Sequence, residues 1–371
     1  PVLSSAAEGR RAARSATAVA LPFGAGSAAY DRPGDVSDVS TRTNDDWGIW
    51  QAHVTLAAFP AITAADQAGV FTALATESAS IDQLAARTGL NRRVLRGIVA
   101  VLAAMGFLRQ HGGRYHLESA ARRYLLPDSH HYWGPVLHFF REPRMTHAQV
   151  LEALRSPETA SHWEVIEEDK GSKVWSLGSM PPDIATEIAS YMNANSLTAA
   201  EYVARELDLS GTRCLLDVGS GSGCFSIALA RVNPALECSL MDLEPMCAVA
   251  MRYVRQAGLQ QRIHPIAVDM FRDDWPAGHD AVFLSNVLHD WDARTCVHLL
   301  AKAHAALPPG GRIHLHEMLL ADSLDGPDIA AAFSLYVSVT TKGQQYSAAE
   351  LVAMLQAAGF SDPVMMPAYG A

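Results

Sequence analysis

Short apolar runs alternate with helical patterns through the second half of the chain. The runs predict strands at residues 215–218, 237–243, 263–268, 280–285 and 312–316, with acids or other polar residues at their carboxyl ends. Strands that alternate with helices form a parallel sheet, and such a sheet binds its ligands at the carboxyl ends of its strands. The pattern therefore predicts an α/β domain whose polar strand ends share one binding edge.

The first half of the chain follows the helical period instead. Apolar residues from Trp47 onward recur every three to four positions, which predicts a buried helix. Ser80 is a capping residue for a second helix, residues 88–91 form a turn, and a third helix covers residues 92–105. Two short runs around residues 112–113 predict a hairpin. Helices followed by a hairpin are typical of a winged helix-turn-helix unit.

A glycine-rich turn follows the first predicted strand. Gly219, Gly221 and Gly223 alternate in the spacing G-x-G-x-G, which lets the chain turn sharply and lets a ligand lie against bare backbone. Dinucleotide-binding folds use the different spacing G-x-G-x-x-G. Asp217 precedes the turn, and its carboxylate would repel a pyrophosphate but could accept hydrogen bonds from an ammonium group. The turn therefore favours a cationic, amino-acid-like ligand.

Later strand ends extend the same site. Asp242 ends the second strand, where an acid usually binds the hydroxyl pair of a ribose. Asp269, Met270 and Phe271 follow the third strand and offer one polar contact and two apolar walls, which suits an adenine. The fourth strand leads into His289, and the imidazole of histidine has a pKa suited to removing a proton at neutral pH.

Taken together, these motifs resemble class I S-adenosylmethionine-dependent methyltransferases. The resemblance is narrower to two-domain small-molecule O-methyltransferases of bacterial antibiotic and plant phenylpropanoid pathways, and it covers roughly residues 50–369. It rests on Asp217-x-Gly219-x-Gly221-x-Gly223, Asp242, Asp269-Met270-Phe271 and Asn286-x-x-His289-Asp290-Trp291. It implies a Rossmann-like methyltransferase domain behind an N-terminal all-α winged-helix dimerisation domain. The implied cofactor is S-adenosyl-L-methionine, with S-adenosyl-L-homocysteine as product.

The resemblance also implies roles for individual residues. His289 would be the general base, and Glu317, beyond the fifth strand, would orient its imidazole, while Asp290 is expected to cap the next helix. The expected cofactor-binding residues are Asp217, Gly219, Gly221, Gly223, Asp242, Leu243, Asp269, Met270, Phe271 and Ser285. The expected acceptor-binding residues are Met192, Asn195, Asn286, Phe333, Ser334 and Val337. We expect no metal ligand.

Three segments follow from these assignments. Residues 1–46 are expected to form a disordered leader, because the apolar run at residues 16–22 is too short for a targeting peptide. Residues 47–195 would form the helical dimerisation domain, and residues 196–371 the methyltransferase domain. The chain stops at Ala371, where the family continues with one more strand. This predicts a weakened sheet edge unless another segment completes it.

A second departure from the family concerns the cofactor. Plant members have a lysine four residues before the base, and Ser285 occupies that place here. A charged contact is therefore lost, although the backbone could still contact the cofactor.

Composition narrows the class of protein. The chain has 371 residues, 49% of them hydrophobic, which is enough for two cores, and its net charge is -10. Its five cysteines form no C-x-x-C pair, which indicates reduced thiols in the cytoplasm. No apolar run reaches the roughly 18 residues that a membrane span needs. These observations favour a cytoplasmic homodimeric enzyme acting on a small molecule.

Two alternatives remain open. One is C-methylation of an α-keto acid or an electron-rich ring, with a metal held by His289 and Glu317. The histidine-rich fifth strand, with His314 and His316, supports this alternative. The other is a cofactor-binding regulator that uses its winged helix on DNA. The net charge of -10 opposes binding to phosphates, so we expect no nucleic-acid partner.

Overall fold

The computed structural model describes residues 2–3, 15–21, 47–142, 145–156 and 180–367. The chain forms two compact units, residues 27–143 and residues 1–26 together with 144–371. The strands are β1 Val2–Leu3, β2 Ser15–Leu21, β3 Leu108–His111, β4 Arg114–Leu117, β5 Cys214–Val218, β6 Glu237–Asp242, β7 Ile263–Ala267, β8 Ala281–Ser285, β9 Arg312–Met318 and β10 Ser361–Pro367.

Helices occur in both units. They are α1 Trp47–Gln67, α2 Val70–Ala73, α3 Ile81–Thr88, α4 Arg92–Ala104, α5 Ser119–Tyr124, α6 Gly134–Phe139, α7 His147–Arg155, α8 Pro182–Glu206, α9 Cys224–Val232, α10 Glu244–Gln256, α11 Ala293–Ala306, α12 Asp328–Thr340 and α13 Ala348–Ala357. Within the described part of the chain, the helices lack the combination of length and apolar character that crossing a membrane requires.

Residues 27–143 contain the winged-helix element that the sequence predicts. Ser80 caps α3 through a capping box with Gln83, and Asn91 caps α4 by accepting hydrogen bonds from two backbone N–H groups. Strands β3 and β4 pair antiparallel, with Leu108 opposite Leu117. The apolar face of α4 is buried against these elements, because its leucines and valines recur at helical spacing.

The second unit is built on a largely parallel sheet. Its strand order is β1-β10-β2-β9-β8-β5-β6-β7. From β5 the chain runs outward through β6 and β7, and then returns to the other side of β5 for β8 and β9. Strands β5 and β8 therefore flank the point where the strand order reverses, which is where open α/β sheets bind ligands. The fold class predicted from the sequence is confirmed.

Both faces of this sheet are covered. Leu229 of α9 packs with Phe283 on one face, and Leu299 of α11 packs with Leu284 and Leu315 on the other. These side chains have almost no solvent exposure, which is why the central strands read as continuous apolar runs. Packing on both sides leaves the strand ends as the place where polar groups can gather.

The N-terminal segment differs from our expectation of a disordered leader. Strand β2 lies parallel between β9 and β10, with Ala16 paired to Ile313 and Thr17 to Val364, and β1 pairs antiparallel to β10. A run too short for a targeting peptide is long enough for a strand, and here it completes the sheet edge that we expected to be weakened. The rest of residues 1–46 lies outside the described residues.

The expected domain boundary also moves. Residues 195 and 196 both lie inside α8, and the unit that contains this helix begins at residue 144. A continuous helix gives no break in its periodicity, so the sequence pattern could not place the boundary.

Candidate active site

The glycine turn after β5 is closely packed. Gly219, Gly221 and Gly223 have φ angles of 64°, 55° and 73°, in the left-handed region that favours glycine. A Cβ on Gly219 would lie 2.9 Å from Val287 Cγ2, and a Cβ on Gly221 would lie 2.9 Å from Met192 Sδ. Side chains are therefore excluded from a turn that lies between α8 and the segment after β8.

Two acids hold this turn in place. Asp242 accepts hydrogen bonds from the N–H groups of Gly221 and Leu243, both at 2.8 Å, and its burial raises its pKa to about 6. Asp217 accepts a hydrogen bond from Ser226 Oγ at 2.6 Å, and its burial raises its pKa to about 7. Asp217 is 3% exposed, and contact between its carboxylate and a ligand ammonium stays a prediction.

The turn fits an S-adenosylmethionine-like ligand. Ser220 Oγ is buried without a hydrogen-bond partner among the described residues, and buried hydroxyls normally have one. A ligand with hydroxyl and carboxylate groups lying on the bare glycine backbone would supply that partner. Sequence reasoning missed Ser220, although the alternation of glycine and serine in the turn was a visible signal.

The segment after β7 supplies apolar walls. Asp269 Oδ1 accepts a hydrogen bond from Phe271 N–H at 2.8 Å, and Asp269 Oδ2 lies 3.5 Å from Arg272 Nε. The carboxylate of Asp269 therefore shapes its own turn. The Phe271 ring meets the Trp291 ring edge to face at 4.5 Å, which places Phe271 beside the segment that carries His289.

The segment after β8 brings the two expected catalytic residues together. His289 lies in a short 3₁₀ turn, Leu288–Asp290, and its Nδ1 is 2.8 Å from Glu317 Oε2. The other oxygen of Glu317 accepts hydrogen bonds from Val287 N–H at 2.9 Å and Leu288 N–H at 2.8 Å. One carboxylate thus fixes both the backbone and the imidazole. In the neutral ring Nδ1–H donates to Glu317, which leaves Nε2 to accept a proton.

The surroundings of His289 make it a stronger base. Burial alone would lower the pKa of His289, but the carboxylates of Glu317 and Asp290 outweigh that effect and raise the pKa to about 9. Asp290 Oδ1 lies 3.6 Å from His289 Nε2. The expectation that Asp290 caps the next helix is wrong: Asp292 caps α11 by accepting a hydrogen bond from Thr295 N–H at 2.8 Å.

Two of the expected acceptor residues line this region. The Phe333 ring of α12 stands edge-on to the His289 ring at 5.7 Å and stacks with Tyr336 at 5.9 Å. Asn286 has a φ of 53°, a conformation uncommon outside glycine and frequent at functional sites. It follows Ser285, whose Oγ is 2.8 Å from His316 Nδ1.

The other expected acceptor residues are spread more widely. Met192 packs on the glycine turn, and Ser334 Oγ accepts a hydrogen bond from Gln345 N–H at 3.2 Å. Asn195 is exposed on α8, whereas Val337 is 2% exposed and packs in the interior. Burial gives Val337 an evident structural role. The acceptor roles of these residues stay predictions.

The residues present do not form a metal centre. Among the described residues, no three histidine, cysteine, aspartate or glutamate side chains are placed to hold an ion together. Both oxygens of Glu317 are already engaged by the N–H groups of Val287, Leu288 and His289.

A glycine turn at the switch point of this sheet, beside the buried His289–Glu317 pair, is the arrangement expected of a class I S-adenosylmethionine-dependent methyltransferase. The chain belongs to the O-methyltransferase family: residues 153–361 match its O-methyltransferase domain and residues 50–127 match its dimerisation domain. This confirms the resemblance inferred from the sequence motifs.

Two sequence relatives and one solved structure each match most of the chain. A 3-hydroxy-5-methyl-1-naphthoate 3-O-methyltransferase from Streptomyces sahachiroi is 33% identical over 315 residues, which is 85% of this chain and 87% of that protein. An L-tyrosine C(3)-methyltransferase from Streptomyces lavendulae is 31% identical, over 75% of this chain and 76% of that protein. The solved structure of PigF with SAH superposes with a TM-score of 0.71 at 26% identity, over 86% of this chain and 95% of that one.

Proposed function

We propose that this protein transfers a methyl group from S-adenosylmethionine to a hydroxyl group of a small aromatic natural product. The observation that carries the proposal is the buried His289–Glu317 pair, 2.8 Å apart, beside the Phe333 ring and at the switch point of the sheet. When bound, S-adenosylmethionine supplies a methyl group on a sulfonium, which needs no further activation.

The work left to the protein is to align the acceptor and remove its proton. Nε2 of His289 takes the hydroxyl proton while the acceptor oxygen bonds to the methyl carbon and the methyl–sulfur bond breaks. Glu317 accepts the Nδ1–H hydrogen bond throughout, so the imidazolium that forms is stabilised by a fixed carboxylate. The proton then leaves from Nε2 to solvent as product departs.

The raised pKa of His289 indicates which hydroxyl is suited to this base. Each unit by which the pKa of the acceptor exceeds that of the base adds about 1.4 kcal/mol to the transfer of the proton. At about 9, the pKa of His289 is close to that of a phenol, which is about 10 for tyrosine. The phenol–imidazole pair and the phenolate–imidazolium pair differ only in the position of one proton. With similar pKa values, the two pairs have similar free energies. An aliphatic alcohol is far less acidic, so the match favours a phenolic or enolic acceptor.

The rings around the base support an aromatic acceptor. Phe333 and Tyr336 are stacked on α12, and Phe333 meets the imidazole edge-on. Aromatic side chains of this kind favour contact with another flat ring. The hydroxynaphthoate methyltransferase relative, at 33% identity, is consistent with such an acceptor.

C-methylation of an electron-rich ring is the second candidate. Removing the proton of a phenol also raises the electron density on the ring carbons ortho to the oxygen. The same base would therefore serve C-methylation. The relative named as an L-tyrosine C(3)-methyltransferase supports keeping this candidate.

The assembly and location are part of the proposal. We infer a homodimer, because residues 50–127 match a dimerisation domain, and this match also favours a structural role for the winged helix over DNA binding. We infer action in the cytoplasm, because the five cysteines are free thiols.

Methyl-labelled S-adenosylmethionine and a panel of phenols, hydroxynaphthoates and aliphatic alcohols test the proposal. We expect the label on a phenolic oxygen, located by fragment mass; a label on ring carbon would favour the second candidate. His289→Ala should reduce turnover by roughly 10²–10⁴-fold while cofactor affinity by calorimetry stays nearly unchanged. Full turnover of the variant would refute the role of His289, and transfer restricted to aliphatic alcohols would refute the acceptor class.

A further inference from the structure

The segment between α12 and α13 packs directly on the backbone that carries His289. A Cβ added to Gly343 would lie 2.0 Å from His289 O, 2.6 Å from the carbonyl carbon of Asp290 and 2.4 Å from Trp291 N. These neighbours are main-chain atoms, which cannot rotate away as the end of a side chain can. Gly343 therefore marks a place where two backbones touch.

Tyr346 holds the same backbone from the other end of this segment. Its hydroxyl donates a hydrogen bond of 2.6 Å to Trp291 O, and the residue is 5% exposed. Between them, Gln345 N–H donates to Ser334 Oγ at 3.2 Å, which connects the segment to α12. Residues 341–346, which we call the clamp segment, thus join the helix that carries Phe333 to the turn that carries His289.

The turn needs such support because it is short. Residues Leu288–Asp290 form a single 3₁₀ turn, and Asp290 N–H reaches Val287 O at 3.3 Å. Glu317 fixes the N-terminal side of the turn through the N–H groups of Val287 and Leu288, and it contacts the His289 ring. Gly343 and Tyr346 meet the C-terminal side, where the chain leaves toward α11.

We propose that Gly343 and Tyr346 are positioning residues for the general base. Gly343 allows the close approach of the two backbones, and Tyr346 anchors Trp291, so that together they set the distance of the His289 ring from Glu317 and from the acceptor. This inference rests on the proposed function of His289. It predicts that a side chain at residue 343 displaces the base without disturbing the glycine turn that holds the cofactor.

Gly343→Ala in the full-length protein is the main test. We expect turnover to fall by roughly 10–10²-fold, since a displacement of about 1 Å can cost that much, with cofactor affinity by calorimetry unchanged. Gly97→Ala is the matched control: Gly97 lies on α4, and a Cβ there meets nothing within 4 Å. That control should keep wild-type turnover.

A second readout separates positioning from a general loss of structure. Labelled histidine and nuclear magnetic resonance, with the His289→Ala spectrum for assignment, should follow the titration of the His289 ring. In Gly343→Ala we expect its pKa to fall from about 9, because the ring moves away from the carboxylates. Tyr346→Phe removes only the hydroxyl group, with its hydrogen bonds to Trp291 and Cys296, so it should fold and show the same changes to a smaller extent.

The outcomes distinguish this inference from the proposed function. If Gly343→Ala and Tyr346→Phe fold and bind cofactor with unchanged turnover and an unchanged His289 titration, the positioning role of the clamp segment is refuted. If His289→Ala keeps full turnover, the base role fails, yet a shifted titration in Gly343→Ala would still show that the clamp sets the position of the ring.

Discussion

Buried histidine side chains lie on both faces of strand β9, and their pKa values are shifted in opposite directions. On one side Glu317 meets His289, and the pKa of His289 rises to about 9. On the other side, burial lowers the pKa of His316 and of His314 to about 3. Successive residues of a strand point to opposite faces, so neighbours as close as His316 and Glu317 contribute to different chemistry.

Burial is common to all three imidazoles, and by itself it favours the neutral ring. The rings differ in their neighbouring polar groups. His289 has two carboxylates within 3.6 Å, whereas His316 Nδ1 lies beside the hydroxyl of Ser285. Both ring nitrogens of His314 are without a hydrogen-bond partner among the described residues. Among these three buried histidines, the pKa is raised only where carboxylates lie beside the ring.

Replacing Glu317 by Gln should have the largest effect on the difference between His289 and the two histidines of β9. The carboxylate accepts three N–H groups, from Val287, Leu288 and His289, whereas an amide has one acceptor oxygen and adds a donor. Some of those N–H groups must lose their partner, and the pKa of His289 should fall toward that of His316. We expect turnover to drop within the roughly 10²–10⁴-fold range of a positioned base, measured in single-turnover methyl transfer.

Glu206→Gln provides the control for that variant, because Glu206 is exposed at the end of α8. It removes the same charge far from any buried partner and should leave turnover unchanged. Wild-type turnover in Glu317→Gln would show that His289 needs no carboxylate, and the contrast between the two faces of β9 would then have no catalytic meaning.

Asp290→Asn should have a smaller effect, because the Asp290 side chain is 44% exposed and lies 3.6 Å from Nε2. Its carboxylate helps to raise the pKa of His289, so removing the charge should lower that pKa by about one unit. The neutral ring is the active form, and kcat/KM should therefore reach its plateau about one pH unit earlier than in the wild type. An unshifted pH profile would mean that Glu317 alone sets the basicity.

Much of this architecture could be predicted from the sequence, because local patterns determine it. The strands, the glycine turn and the cap at Ser80 depend on residues adjacent in the chain. The role of Asp290 could not be predicted: two acids precede α11, and only the fold shows that Asp292 caps it while Asp290 faces His289. Gly343 packs on His289 although the two residues are far apart in sequence. Such a contact leaves no local sequence pattern from which it could be predicted.

The smallest expected effect concerns His314, where the comparison extends to stability. The folded-state pKa of His314 is about 3, and the unfolded value is about 6.5. Between these values the unfolded chain binds a proton that the folded chain does not, so the fold loses stability as pH falls below about 6.5. For His289 the sign is reversed: its stabilising charge is complete below about 6.5 and is lost as pH rises through about 9.

His314→Leu should therefore improve acid tolerance without harming the fold. Leucine replaces two unpaired ring nitrogens with apolar atoms, and we expect unfolding free energies within about 1 kcal/mol of the wild type at pH 7.5. Relative to that difference, the variant should gain about 2 kcal/mol at pH 5, where the unfolded wild type takes up its proton. Urea unfolding at both pH values measures this, with the exposed His264→Leu as control. An equal difference at the two pH values would show that His314 is charged in the fold, and burial alone would then not explain the contrast with His289.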